Sequence, residues 1–192
     1  MKKIRILHMT PPEINNGVYQ YIFNHMQFID QNRYQFEFLT RNKAGLVKTK
    51  EYQKYRFNIW SFENTERDGR EGLRREIIGI LRNGFDAVHL HTSIWRGFLI
   101  EETAMEMGVP QVIVHSHSTG IDFAAKEDRD RLLAVHEEYK RQFHMGMATD
   151  VCACSRLAGE WLYSAAVPKS LIHILPNAVD VRKYHFLSLI HI

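Results

Sequence analysis

The sequence predicts an α/β fold in which a parallel sheet is covered by helices on both faces. Three observations carry this expectation. Short apolar, β-branched runs alternate with longer stretches whose apolar residues recur at helical spacing. Helix start and stop residues stand at the boundaries between them. No repeat or low-complexity segment interrupts the alternation.

The first run, Ile4–Met9, is short and largely apolar, as a strand buried on both faces requires. Val18, Ile22, Met26 and Ile29 then recur at helical spacing. Residues 36–40 and 57–62 are the next predicted strands, separated by a polar, Lys/Arg-rich stretch over 41–56. Leu73, Ile77, Ile80 and Leu81 form the apolar stripe of a helix over 71–82, and residues 86–91 are strand-like. Ser93 is the expected cap of a helix bearing Ile94, Phe98 and Met105, which stops at Gly108 with Pro110 beyond it. Gln111–Ser116 is another β-branched strand, and Leu132, Val135, Tyr139 and Phe143 place a longer helix from about residue 128. Residues 151–154 form a short strand, Ser155 caps a helix containing Leu157 and Trp161, and residues 172–175 form the last strand.

A chain of 192 residues, 45% hydrophobic and 24% charged, suits one domain with a sizeable core. The net charge of +3 is mild, and no dense basic stripe with interleaved aromatics argues for nucleic acid. Cys152 and Cys154 would share one face of a strand, a spacing that seldom meets disulfide geometry. They read as small buried hydrophobes ahead of a metal or redox pair. Arg5 interrupts the first apolar run, which is too short for a signal peptide, and nothing approaches the roughly 18 apolar residues of a membrane span. A cytoplasmic protein is expected.

Ligands of an open parallel sheet bind at the carboxyl ends of its strands. The first strand leads through His8, Met9 and Thr10 to Asn16 and Gly17 at the start of a helix. A glycine at a helix N-terminus permits close approach of an anion such as phosphate, although Asn16-Gly17 is equally a capped turn. The dinucleotide pattern G-x-G-x-x-G is absent. Two His-x-His pairs, His89/His91 and His115/His117, end successive strands. They can ligate a divalent metal, line a ligand crevice, or be core histidines with satisfied partners. No carboxylate stands at ligand spacing beside either pair, so no metal ligands are assigned. His91 and His117 are placed in the crevice with His8, Thr10 and Ser118, and His89 and His115 are read as structural. Asp122, Lys126, Arg129 and Arg131 read as solvated, and there is no nucleophile elbow, carboxylate pair or Walker loop.

Taken together, several segments resemble family 4 glycosyltransferases of bacterial exopolysaccharide and capsule pathways. They are Asn16-Gly17-Val18 with Phe36-Glu37-Phe38-Leu39, Phe85-Asp86-Ala87-Val88-His89-Leu90-His91 and Val114-His115-Ser116-His117-Ser118. Residues 148–155 and 158–162 follow the same likeness. Leu175-Pro176-Asn177-Ala178-Val179-Asp180 is similar to the element these enzymes carry before their interdomain hinge, which makes Asn177 and Asp180 hinge-proximal. The resemblance implies the N-terminal half of a GT-B fold, Rossmann-like, with retaining chemistry, no metal requirement and no cofactor beyond a UDP-type nucleotide sugar. The acceptor would be a glycan or a lipid-linked sugar. His117 matches the family's active-site histidine, which bonds the transferring sugar. Asn16 and Gly17 match the loop that approaches the donor phosphates. Asn16 replaces the first glycine of that loop, and Tyr19 stands where an acidic residue is common.

The resemblance covers residues 3–186 and implies an acceptor-side domain over 1–186. Residues 187–192 are expected to be a non-native tail, with the donor-binding domain absent and the fragment alone inactive. The basic stretch over 41–56, with Lys43, Lys48, Lys50, Lys54, Tyr52 and Tyr55, reads as solvated surface, with docking to an anionic inner membrane face as the alternative. The competing functions are a stand-alone binding subunit of a split glycosyltransferase and a metal-dependent hydrolase built on the histidine pairs.

Overall fold

The computed structural model describes residues 2–14, 16–63, 69–121 and 125–181. The expected tail over 187–192 and the loop residue Asp122 lie outside the described residues. Seven strands form one sheet: β1 (Ile4–Met9), β2 (Tyr34–Leu39), β3 (Ile59–Trp60), β4 (Ala87–Thr92), β5 (Gln111–Ser116), β6 (Asp150–Ala153) and β7 (Ile172–Ile174). They lie in the order β3-β2-β1-β4-β5-β6-β7, and every pairing is parallel. The helices are α1 (Gly17–Met26), α2 (Lys43–Leu46), α3 (Lys50–Tyr55), α4 (Arg70–Leu81), α5 (Leu99–Glu106), α6 (Lys126–Gln142) and α7 (Arg156–Leu162).

Strand alternation divides the side chains between two cores. Leu7, Leu39, Val88, Leu90, Val112, Val114 and Val151 pack with residues of α4, α5 and α7. Phe36 and Phe38 pack with Val18, Tyr19, Ile22, Phe23 and Met26 of α1 and with Leu46 of α2. Helices therefore cover both faces, as the alternating pattern predicts.

Several boundaries differ from the sequence expectation. β3 is only two residues long, and β2 begins two residues earlier than predicted. Within the basic stretch, Asn42 and Thr49 each accept a backbone N–H and start the short helices α2 and α3. Ser93 does not cap α5, which starts six residues later behind Phe98. The chain between them buries Trp95 to 1% exposure, and Gly97 takes φ 147°, a conformation no helix can continue through. Ser155 caps α7 as expected, accepting the Ala158 N–H. On α6 the fully buried side chain is His136, while Leu132, Val135 and Tyr139 are only half-buried.

Candidate functional site

The winding of the sheet reverses at β1. The crossover after β1 leads to β2 on one side, and the crossover after β4 leads to β5 on the other. The carboxyl ends of β1 and β4 thus flank the point where a crevice opens in folds of this kind. Both strands place histidines there. Because Leu7, Val88, Leu90, Val112 and Val114 face the α4/α5 core, the alternating positions His8, His89, His91 and His115 face α1. The parallel register sets His8 beside His89 and His91 beside His115. His117 follows directly after β5 and is held by its backbone N–H, which donates to the Thr92 carbonyl at 3.2 Å.

Five imidazoles consequently meet on one face. His8 Nδ1 lies 3.0 Å from His91 Nε2, and His91 Nδ1 lies 2.8 Å from His117 Nε2. A second link joins His89 Nε2 to His115 Nδ1 at 3.2 Å. Tyr21 of α1 stands over the group, its ring 5.0 Å from that of His115 and 5.1 Å from that of His117. Among the described residues, two buried nitrogens, His8 Nε2 and His115 Nε2, have no hydrogen-bond partner. Burial pushes all five rings toward the neutral form, with neighbouring histidine charge adding to the effect at His8, His89, His91 and His115. His8 falls to about 3, His115 to about 2 and His117 to about 4.

A neutral imidazole carries one N–H and one lone pair. His8, His91 and His117, joined by two hydrogen bonds, must therefore share one proton sense along the string. Either every ring carries its proton on Nδ1, leaving His117 Nδ1–H free to donate into the crevice, or every ring carries it on Nε2. The half-buried His117 is the end of the string nearest the crevice, and His8 is its buried end.

The other sequence-predicted residues fall around this group with different roles. Asn16 caps α1, its Oδ1 accepting the Tyr19 N–H at 3.1 Å. Gly17, the first helical residue, is exposed, and a Cβ there would meet nothing within 4 Å. Thr10 is buried, and its hydroxyl is engaged 2.7 Å from the Tyr19 hydroxyl. Tyr19, in the place of the expected acidic residue, is thus fully buried and ties the β1–α1 turn together. Ser118 donates to the Gly120 carbonyl at 2.8 Å, a bond that shapes its own turn. Asn177 is exposed, and Asp180 belongs to the segment that returns to α1, where Asn24 Nδ2 donates to the Ala178 carbonyl at 3.0 Å. That segment closes a cavity of about 400 Å³ under α1, lined in part by Ile6, His8, Tyr21, Phe36, His89 and Val179.

Two overlapping sets of three histidines bring one ring nitrogen each within 4.8 Å of one another: His8/His89/His91 and His91/His115/His117. His89 and His115 therefore belong to the same group as the crevice histidines. The sequence signal for it was present in the two His-x-His pairs, but the contribution of His8 depends on strand order.

The model of the family described as Glycosyltransferase Family 4 matches residues 15–183. A Bacillus subtilis (strain 168) protein assigned as the glycosyltransferase EpsF is 27% identical over 184 residues, covering 94% of this chain and 46% of the relative. A Rickettsia africae glycosyltransferase structure aligns with a TM-score of 0.64 at 12% identity, covering 96% of this chain and 46% of that one. Anabaena HepE in complex with UDP and glucose aligns at 0.58 and 13% identity, over 94% and 46% of the two chains. UDP-GlcNAc 2-epimerase of Neisseria meningitidis bound to UDP-GlcNAc aligns at 0.54 and 12% identity, over 92% and 46%. At these identities the structural likeness is one of fold. The chain spans about half the length of the relatives it matches.

Proposed function

Because the chain belongs to glycosyltransferase family 4, we propose that it is the acceptor-side half of a retaining enzyme. That enzyme moves a sugar from a UDP-type nucleotide sugar to a glycan or lipid-linked acceptor, without a resident cofactor in the transfer step. One observation carries this reading: the string His8–His91–His117 runs from β1 across β4 to the carboxyl end of β5, with His117 5.1 Å ring to ring from Tyr21 of α1, the helix that follows β1. In this reading a neutral His117 bonds a hydroxyl of the transferring sugar. The first-turn N–H groups of Gly17 and Val18, which helix geometry leaves without intrahelical partners, face the donor diphosphate. Charge that develops on the leaving diphosphate is stabilised electrostatically, and the diphosphate takes the acceptor's proton. The relatives solved with UDP, or with UDP-GlcNAc, support the choice of donor.

The test is a screen of nucleotide-sugar donors on the longest protein the gene encodes, followed by His117→Ala in the same background. Transfer should fall by about 100-fold or more. Near-normal transfer would remove His117 from the reaction.

A lipid-linked acceptor places the reaction at the cytoplasmic face of a membrane. No helix among the described residues is long and apolar enough to cross one. For such an acceptor the proposed docking face is α2 and α3, where Leu46 is buried in the α1 core while Lys43, Lys48, Lys50 and Lys54 are exposed; solvated surface is the alternative reading of the same lysines. Sedimentation with anionic liposomes at low salt should carry the protein down, and no association there would remove the docking role.

A further inference from the structure

A buried histidine with a purely structural role has a recognisable environment in this same chain. His136 is 0% exposed, and both of its ring nitrogens meet the backbone: Nδ1 accepts the Trp95 N–H at 3.0 Å, and Nε2 lies 3.1 Å from the Trp161 carbonyl. His8, His89 and His91 are arranged differently. Their ring nitrogens meet other imidazoles, and His8, 4% exposed, keeps one nitrogen without a partner.

We infer that His8, His89 and His91 form a binding site for one divalent transition ion of the zinc type, open at its fourth position to the cavity under α1. The geometry is close to what such an ion requires. One ring nitrogen from each residue lies within 4.8 Å of the other two, and His8 Nδ1 and His91 Nε2 are already 3.0 Å apart. Bonds of about 2.0–2.1 Å in a tetrahedral site separate ligand nitrogens by roughly 3.3 Å, so the pair needs to open by only a few tenths of an ångström. The donor set selects the ion. Three imidazoles suit zinc, nickel, cobalt or copper, and offer nothing to the oxygen-seeking calcium and magnesium.

The surroundings support two of the three ligands, while His8 Nε2 has no partner among the described residues. A ligating imidazole is held in place by a partner on its other nitrogen. His91 Nδ1 has His117 at 2.8 Å, and His89 Nε2 has His115 Nδ1 at 3.2 Å. His8 and His89 both line the cavity of about 400 Å³, which supplies a route for the ion and room for a water as fourth ligand. Of the outer set, His91/His115/His117, no member lines this cavity.

Ligation has a consequence for the crevice. With its Nε2 lone pair on the ion, His91 must carry its proton on Nδ1 and donate to His117 Nε2. His117 then keeps its own proton on Nδ1 as a donor. The importance of that tautomer rests on the proposed transfer reaction; the metal site does not.

The purified 192-residue chain, freed of any affinity histidines and stripped with chelator, is titrated with Zn²⁺ and with Co²⁺. One ion per chain by calorimetry and metal analysis is expected, with the visible bands of four-coordinate cobalt and Zn²⁺-dependent shifts of the His8, His89 and His91 ring ¹⁵N resonances. His89→Gln and His8→Phe should each weaken binding by at least about 10-fold. His173→Gln, on the exposed end strand, should leave it unchanged. A wild-type chain that takes up no ion overturns the inference, as does binding that survives both substitutions. If either variant fails to fold, the wild-type resonances decide: shifts confined to His25, His144 or His173 overturn it. A failed donor screen leaves all of these readouts untouched.

Discussion

His91 and His117 are joined ring to ring, Nδ1 to Nε2 at 2.8 Å, although they leave different strands and stand 26 positions apart in the chain. The link couples the crevice histidine to a buried one, so the proton position on His117 is not set by His117 alone. In the proposed transfer reaction His91 would act as a positioning residue.

Replacing His91 by Phe should therefore lower transfer by about 10-fold, less than the loss of His117 itself. It should also change the pH profile of kcat, because His117 loses the neighbour that fixes its tautomer. An unchanged profile with reduced stability would mean that His91 only packs.

The same burial makes the fold acid-sensitive. His8 at about 3, His115 at about 2 and His117 at about 4 all lie below the 6.5 of a free imidazole. Between pH 6.5 and about 4 the unfolded chain binds protons that the folded chain refuses, so stability rises with pH across that window and falls on acidification. Buried Glu101, pushed up to about 7, works in the opposite sense because its folded form keeps a proton that the unfolded chain releases. Five lowered imidazoles outnumber the one raised carboxyl, so the net effect of the cluster is loss of stability on acidification. Metal-free protein should show a melting temperature that drops steeply from pH 6.5 to pH 5. A flat profile would contradict the neutral cluster.

Glu37, on β2 next to the edge strand β3, is a fully buried carboxylate. It accepts from Arg5 Nε at 2.7 Å, Trp60 Nε1 at 2.8 Å, Gln35 Nε2 at 2.9 Å and Asn58 Nδ2 at 3.2 Å. Burial alone would raise its pKa, but these donors and the Arg5 charge hold it below the usual carboxylate value. Glu37→Ala should cost about 3–5 kcal/mol in urea unfolding. Arg5→Ala should cost a comparable amount, since it leaves the fully buried carboxylate without its counter-charge.

Asn16 and Gly17 separate fold from function. Asn16→Ala removes the α1 cap and should cost about 1 kcal/mol. Gly17→Ala meets open space and should leave stability unchanged or raise it by up to about 1 kcal/mol. A fall in donor affinity for Gly17→Ala without a stability loss is the expected mark of phosphate approach. Equal donor affinity would leave Gly17 as part of a turn.

Much of the fold was legible because its signals are local. Val18, Ile22 and Met26 repeat at helical spacing and do pack in one core, and Ser155 does cap α7. Misreadings arose where a distant contact prevailed. Ser93 looked like a helix cap, but its carbonyl accepts the Trp161 Nε1–H at 2.7 Å while Trp95 fills the core beside it. His136 carried no signal, since a single histidine on a charged helix reads as surface until Trp95 and Trp161 are brought to it.

The sequence by itself determined the alternation of strands and helices, the two His-x-His pairs at strand ends, and the helix start at Asn16. Side-chain period and capping chemistry act over a few residues and need no partner. Tertiary structure alone decided that β1 lies between β2 and β4, which sets His8 against His91 across 83 positions of sequence. It also decided that α1 lies over that face and closes the cavity with the returning segment at Ala178. Strand order follows from which crossovers can bury both cores at once, and that balance belongs to the whole chain. Five histidines that read as two separate pairs with a stray neighbour became one cluster for that reason.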